Sequence, residues 1–332
     1  QKAKHEREFV QASHAIAEAM DPDFDVVSVH DSSYRAAHYY KSRVASRAGT
    51  APRAVWTVNG PPFRYLSRGK WYYDILGYAY QVFKRFASAK FMRAIDAATV
   101  LANADRDWLG GYPVGEVRVV RAGLDVEKFY APVKDFTLKA AKKQVTLLAL
   151  GALNPFRRYD NVLEAVKYLR DWGYDARARI IANNIWNEDA CRDSLVRFAK
   201  ENNFESAVEF NFSGVPESEL VRAYQEADVF VNAVYVPPPG HHGWGLVNFE
   251  AMAAGTPVVL CNVSTGTEVL EDGKNVLLSK PLDSRQIATH VKRMVDDPAF
   301  YNTIASGGQA LVKNTMSWEK YTDEMITIFR GT

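Results

Sequence analysis

Between Pro237 and Glu268 the chain reads PPPGHHGWGLVNFEAMAAGTPVVLCNVSTGTE. Its prolines exclude regular structure at the start of the stretch. Gly243, Trp244 and Gly245 then lead into an apolar run, Leu246 to Ala254, with Glu250 one turn inside it. Gly255-Thr256-Pro257 stops that helix, and Val258-Val259-Leu260 reads as a buried strand. A glycine-rich loop that opens a helix presents unpaired backbone N–H groups at the positive end of the helix dipole. Such an end accepts phosphate or diphosphate, here through the amides of Gly245, Leu246 and Val247. Glycine at 243 and 245 lets the backbone approach a ligand. Glu250 can accept two hydrogen bonds from a sugar diol. The same pattern also fits an ordinary connection in a doubly wound domain with no ligand.

The elements that must position these residues alternate. Residues 5–20 read as an amphipathic helix, 24–30 (FDVVSVH) as a buried strand, 33–47 as a helix and 54–58 as a strand. Further strands are expected at 97–101, 117–120, 145–150, 176–182, 208–212, 229–233, 258–260 and 276–278. Helices are expected at 104–109, 159–172, 189–201, 219–227, 246–254, 286–295 (capped by Asp283) and 318–329. Strictly alternating strands and helices imply α/β architecture with parallel sheets. The lysine-rich stretch 131–143 (APVKDFTLKAAKK) is expected to link an N-terminal domain, 1–134, to a C-terminal one, 144–332. Carboxyl ends of parallel strands face the ligand crevice, so Asn59, after the strand 54–58, is a further candidate. Asparagine before Gly60 also suits a plain turn.

The run G-W-G-L followed by E-A-M-A-A-G-T-P-V-V resembles the C-terminal half of the retaining, GT-B-fold, nucleotide-sugar-dependent glycosyltransferases, of the group 1 or family 4 type. The resemblance implies two Rossmann-like domains facing a cleft. It places Glu250 on the nucleotide ribose. His242, eight positions before Glu250, stands where the family has a glutamate touching the donor sugar. Val55 to Leu66 (VWTVNGPPFRYL) is similar to a loop of mannosyltransferase-type members, with Asn59 where they carry a histidine. Ala122 to Phe129 resembles the turn that closes the family's N-terminal domain. Gly151 to Arg158 (GALNPFRR) resembles the loop whose two cations clamp the donor diphosphate. Ala152 replaces the first cation, and Arg157 or Arg158 the second; guanidinium suits a bidentate grip on phosphate. Two exposed arginines ahead of a surface helix are the alternative. The turn at Gly214 and Val215 corresponds to one whose backbone meets the base, and Thr265 and Glu268 to residues near the sugar. The family's opening strand and glycine-rich loop have no counterpart at the start of this sequence. The expectation is an N-terminal domain incomplete at its start, against a naturally short one.

Composition narrows the classes. The chain has 332 residues, 24% of them charged, with a formal net charge of +2. That balance argues against a nucleic-acid partner by charge. Cys191 and Cys261 lie far apart without metal-type neighbours, which fits a reduced, cytoplasmic setting. Asp21, Asp23 and Asp25 precede a strand and read as a turn. His241 and His242 lack a carboxylate or thiol partner at ligand spacing, so no metal is assigned. Residues 64–93 carry seven cations and one carboxylate, interleaved with Trp71, Tyr72, Tyr73, Tyr78, Tyr80, Phe83, Phe86 and Phe91. Such a helix can lie peripherally on an anionic membrane. It can equally bury its aromatics in a core and solvate its cations.

The function implied is hexosyl transfer with retention, from a nucleotide-diphosphate sugar to a glycan or lipid-linked acceptor. The Pro61-Pro62 loop points to GDP-mannose first. The nucleotide sugar is a co-substrate, and neither cofactor nor metal is required. Arg157, Arg158, His242 and Asn59 are the catalytic candidates; Gly151, Gly214, Val215, Gly243, Gly245, Leu246, Val247, Glu250 and Thr265 are those for the nucleotide. Asn59, Ala152 and His242 depart from the family pattern. They leave a second reading open, a non-catalytic relative that binds a nucleotide or a partner protein.

Overall fold

The computed structural model describes residues 2–21, 23–45, 51–60, 71–236 and 243–332. His241, His242, the Pro61-Pro62 loop, Arg64, Arg68 and Lys70 lie outside the described residues. The chain forms two compact units.

Unit 1 comprises, of the described residues, those up to 122, Gly243 and Glu319–Thr332. Its elements are α1 (Lys2–Ala19), β1 (Val26–His30), α2 (Tyr34–Ala45), β2 (Arg53–Val58), α3 (Trp71–Met92), β3 (Ala97–Val100), α4 (Asn103–Leu109) and β4 (Glu116–Val119). The four strands form a parallel sheet in the order β1-β2-β3-β4. Ala54, Val55, Trp56 and Val58 on β2 are all buried, because both faces of the sheet are covered. One face packs Ala54, Trp56, Ala98 and Val100 against Tyr34, Ala37 and Tyr40 of α2. The other packs Val55, Ala97 and Val120 against Met325 and Ile328 of the closing helix. Each Val, Ile or Met among these contributes roughly 1.5–3 kcal/mol on burial, and each alanine methyl about 0.8 kcal/mol. Arg53 Nε ties the sheet to that helix by donating to the Ile328 carbonyl at 2.8 Å.

Unit 2 comprises Gly123–Val236 and Trp244–Trp318. It contains α5 (Val126–Phe129), α6 (Thr137–Ala141), β5 (Gln144–Ala152), α7 (Tyr159–Asp171), β6 (Asp175–Asn183), α8 (Asp189–Glu201), β7 (Val208–Asn211), α9 (Glu217–Glu226), β8 (Val229–Asn232), α10 (Leu246–Ala253), β9 (Val258–Cys261), β10 (Leu277–Ser279), α11 (Ser284–Asp296) and α12 (Pro298–Thr315). The closing helix, α13 (Trp318–Arg330), starts here. Six parallel strands run β10-β9-β8-β5-β6-β7. Strand order reverses direction beside β5, so the loops after β5 and β8 part to opposite faces there. Leu147 and Ala149 of β5 join Val162, Leu163 and Val166 of α7 in one core, with Ile287 and Val291 of α11. Asp283 caps α11 by accepting from the Gln286 N–H at 2.8 Å, as its sequence position predicts.

Two features depart from the sequence reading, and a third bears on a choice it left open. Residues 131–143 are built into unit 2 rather than linking two domains: Phe136 is 1% exposed and stacks on Tyr301 at 4.4 Å. Helix α12 has no counterpart in the expected elements, and it carries Gly307-Gly308 in its interior. A β-carbon at Gly307 would collide with the Lys274 carbonyl, and one at Gly308 would lie 3.0 Å from Met252 Cγ of α10. The glycines are there to let α12 pack closely. Finally, the aromatic residues of α3 do not all enter a core: Tyr78, Tyr80, Phe83 and Phe86 are exposed.

Candidate functional site

The strongest candidate site lies at the carboxyl edge of the unit 2 sheet, where three loops meet. Helix α10 is introduced by Gly245, whose φ of +76° and ψ of +55° are left-handed. A β-carbon there would be strained and would stand 2.7 Å from Asn248 Nδ2. Leu246 and Val247 begin the helix, so their N–H groups have no acceptor within it. Asn248 is fully buried; its Oδ1 accepts from Asn232 Nδ2 at 2.8 Å. Its own Nδ2 has no hydrogen-bond partner. A buried amide donor left unpaired costs about 1–3 kcal/mol. Here it sits against the residue that opens α10, where an anion would satisfy it.

Glu250 is half-buried on the same helix. Tyr224, fully buried on α9, donates its hydroxyl to Glu250 Oε2 at 2.6 Å. Burial raises the Glu250 carboxyl above the ordinary glutamate range, opposed by the Tyr224 hydrogen bond and by Lys128. The Tyr224 phenol is raised well above its ordinary value, first by burial and then by the Glu250 charge, with Arg157 acting the other way. Tyr224 thus senses both Glu250 and Arg157, which places the carboxylate and the guanidinium in one neighbourhood.

Arg157 and Arg158 have separated roles. The loop after β5 is held by Asn154, whose Oδ1 accepts from the N–H groups of Phe156 at 2.9 Å and Arg157 at 3.1 Å. The Phe156 carbonyl in turn accepts from the Tyr235 N–H at 2.8 Å, joining the loop after β5 to the one after β8. Arg157 folds back over Gly151, where a β-carbon would lie 2.9 Å from its Cζ. Its Nη1 is buried without a partner. Arg158 is left-handed, with φ +53°, at the start of α7. Its Nη2 donates to Asp160 Oδ2 at 2.6 Å and Asn161 Oδ1 at 3.1 Å. The Arg158 side chain is therefore turned to the start of its own helix and paired with a carboxylate, although its Nε is buried without a hydrogen-bond partner, whereas Arg157 pairs with no carboxylate among the described residues.

The remaining candidates of unit 2 lie in two further turns. Gly214 follows β7 with φ +78°, against the Asn183 amide; Val215 is next to it. Thr265 opens a 3₁₀ turn, Thr265–Val269, capped by Ser264. Ser264 is buried and donates its hydroxyl to the Trp244 carbonyl at 3.2 Å, which fixes this turn beside the start of α10. Gly243 precedes Trp244, and His242 lies outside the described residues.

In unit 1, Asn59 follows β2 and is exposed. Its N–H and its Nδ2 both donate to Asp31, at 2.9 and 3.0 Å. Asp31 follows β1, so the pair stands at the carboxyl edge of the unit 1 sheet. Sequence reasoning missed Asp31, Tyr224 and Asn248. Only Asn248 left a signal, as a polar residue in the otherwise apolar start of α10.

A recess of about 390 Å³ opens at the opposite, amino edge of the unit 2 sheet, lined by Thr146, Arg179, Glu209 and Glu226 among others. Its guanidinium charge is already compensated: Arg179 pairs with Glu209 and Glu219 at 3.0 Å each and with Glu226 at 3.6 Å. Nothing there calls for an anion. Among the described residues no cluster of His, Cys, Asp or Glu is gathered as a metal would require. None of their helices is long and apolar enough to cross a membrane.

The chain is 28% identical over 228 residues to a D-inositol 3-phosphate glycosyltransferase of Nocardioides sp., covering 64% of this chain and 48% of the relative. It is 22% identical over 223 residues to the mannosylfructose-phosphate synthase of Agrobacterium fabrum, covering 65% and 48%. The chain thus spans about half the length of these relatives. Among solved structures, Anabaena Alr3699/HepE, crystallised with UDP, superposes with a TM-score of 0.73 at 15% identity, over 98% of this chain and 82% of that one. The fold is accordingly that of the GT-B glycosyltransferases, two units each built on a parallel sheet. Residues 132–311, which hold β5, Arg157, Tyr224, Asn248 and Glu250, match the model of the glycosyl transferases group 1, and the chain belongs to that family.

Proposed function

We propose that the protein transfers a hexose, with retention, from a nucleotide-diphosphate sugar to a glycan or lipid-linked acceptor, with GDP-mannose the first donor to test. The observation that carries the reading is the convergence in unit 2 of donors without acceptors: Arg157 Nη1 and Asn248 Nδ2, both buried and unpartnered, with the open amides of α10. A diphosphate supplies acceptors to all three. Glu250 keeps acceptor capacity beyond its bond from Tyr224, enough to take a hydroxyl of the adjoining ribose. Gly214 and Val215 offer backbone groups to a base, and Thr265 lies in the turn beside α10.

The chemistry then follows from charge. Cleaving the glycosidic bond leaves an oxocarbenium-like sugar and puts new negative charge on the departing diphosphate. Arg157 and the amides of Leu246 and Val247 are fixed where that charge develops, so they stabilise the transition state without reorganising. The leaving phosphate can take the acceptor's proton. In unit 1, Asp31 holds Asn59 at a strand end suited to positioning sugar hydroxyls.

The test is a transfer and hydrolysis assay with a panel of labelled nucleotide sugars, run beside thermal unfolding with the free nucleoside diphosphates. A diphosphate present at a hundred times its dissociation constant adds about 2.7 kcal/mol of stability. Stabilisation with turnover supports the transferase. Stabilisation without turnover of any donor supports a nucleotide-binding relative, and a flat response to every nucleotide overturns the transferase and favours a non-catalytic relative that binds a partner protein.

A further inference from the structure

Helix α3 is built inside out. Its inward stripe is small or polar: Gly77 and Ser88 are buried, Lys84 is 9% exposed and Gln81 half-buried. Ser88 Oγ accepts from the Tyr34 hydroxyl of α2 at 3.1 Å. Its outward side is apolar. Ile75 is 59% exposed, Leu76 65%, Tyr78 66%, Tyr80 55%, Phe83 66% and Phe86 75%. At 100° per residue these side chains sweep roughly 200° of the helix and about 16 Å of its length. Among its described side chains only those of the last turn, Phe91 and Met92, enter the unit 1 core. A soluble surface helix shows the reverse pattern. A contiguous apolar patch of this kind on a folded protein marks a surface that something covers.

The charges around the patch say what. No carboxylate occurs between Ile75 and Ile95, while Arg85, Lys90 and Arg93 are exposed at the C-terminal half of the helix. A second copy of the same face would bring like charges together. A nucleic acid would meet aromatic and aliphatic side chains where it needs cations. A convex apolar ridge ending in cations fits a bilayer whose headgroups are anionic, with the aromatics at the acyl boundary and the cations among the phosphates. We propose that α3 docks the protein on anionic phospholipid membranes through Ile75, Leu76, Tyr78, Tyr80, Phe83 and Phe86, with Arg85, Lys90 and Arg93 meeting the headgroups. This goes beyond the transferase reading and rests on α3 alone, so it stands or falls without any donor.

The experiment is co-sedimentation of the whole chain with vesicles of phosphatidylcholine alone or with about a third phosphatidylglycerol. Binding to the anionic vesicles only is expected, weakening with salt. Phe83→Ser and Phe86→Ser are each expected to weaken it about tenfold, by removing a buried aromatic from the acyl boundary. Lys90→Gln and Arg93→Gln are expected to weaken it about fivefold each. Far-UV circular dichroism confirms that each variant folds. Should a serine variant not fold, Phe86→Trp keeps the question open to measurement, its emission shifting to the blue on anionic vesicles. No binding to either vesicle, or no change of emission, overturns the proposal. So does a concentration-dependent dimer in light scattering that Phe83→Ser abolishes.

Discussion

Helices α10 and α3 are both rich in apolar residues, and they break opposite packing rules. Helix α10 hides Phe249, Ala251, Met252 and Ala253 completely, yet it buries an amide donor that nothing among the described residues satisfies. Helix α3 satisfies its polar stripe against α2 and leaves its apolar side in water. A fold that is indifferent to ligands would correct both faults, because each one costs stability. The kind of fault identifies the missing partner. A buried donor without an acceptor asks for an anion; an exposed apolar ridge asks for an apolar phase. The Arg158 and Arg179 guanidinia supply the contrast: each keeps a buried Nε without a hydrogen-bond partner, yet each is ion-paired to carboxylates within the chain, so neither has charge to spare for an anion.

The comparison is broken most severely through Arg157. Arg157→Met keeps the packing over Gly151 but removes the charge and the unpaired donor, and the transfer rate is expected to fall about 10²–10³-fold. Arg158→Met is the matched control. It should lower stability through the start of α7 while sparing the rate far more, and equal losses in the two variants would sink the division of roles.

Next comes Gly245→Ala. It forces an alanine into the left-handed region and pushes a methyl group onto the Asn248 amide. A loss of about 1–3 kcal/mol in stability is expected, together with loss of nucleoside diphosphate binding in calorimetry. Gly307→Ala is expected to lose a similar amount, by driving α12 off the Lys274 carbonyl, and to leave the affinity of the folded fraction intact.

Glu250→Gln separates stability from function. The Glu250 pKa is raised in the folded state by burial, so between its ordinary and raised values the native protein binds more protons than the unfolded chain. Stability then falls as pH rises through that window, and above it the buried charge is a standing penalty. Glutamine removes the penalty and still accepts from Tyr224. A thermal midpoint equal to or above that of the parent is expected at neutral pH, with nucleotide affinity about tenfold weaker. Affinity has the opposite pH dependence, because the ribose grip needs the carboxylate and fades as pH falls through the raised pKa. The ratio of parent to Glu250→Gln affinity should therefore shrink towards acid, with the phosphate's own titration cancelling. A ratio constant with pH would remove Glu250 from the site.

The smallest effect is expected for Tyr224→Phe. It deletes one hydrogen bond to Glu250, and a nucleotide affinity loss of about fivefold is expected with little change in turnover once donor is saturating.

The sequence by itself determined the order of the strands and of most helices, all but α5, α6 and α12, since alternation of apolar runs with amphipathic ones is local information. It also determined the start of α10, the loop after β5 and the cap of α11, because glycine, proline and aspartate act there on their own neighbours. Tertiary structure alone decided which arginine is available. Arg157 and Arg158 are adjacent in sequence, and only the left-handed turn at Arg158 sends one guanidinium to Asp160 and leaves the other over Gly151. It decided that Gly307-Gly308 lies inside a helix, because the reason is the Lys274 carbonyl and Met252, distant in the chain. It decided also that the aromatic residues of α3 face outward. Composition reports how apolar a helix is, whereas its rotation about its own axis is set by the one stripe that finds a partner, here Ser88 against Tyr34.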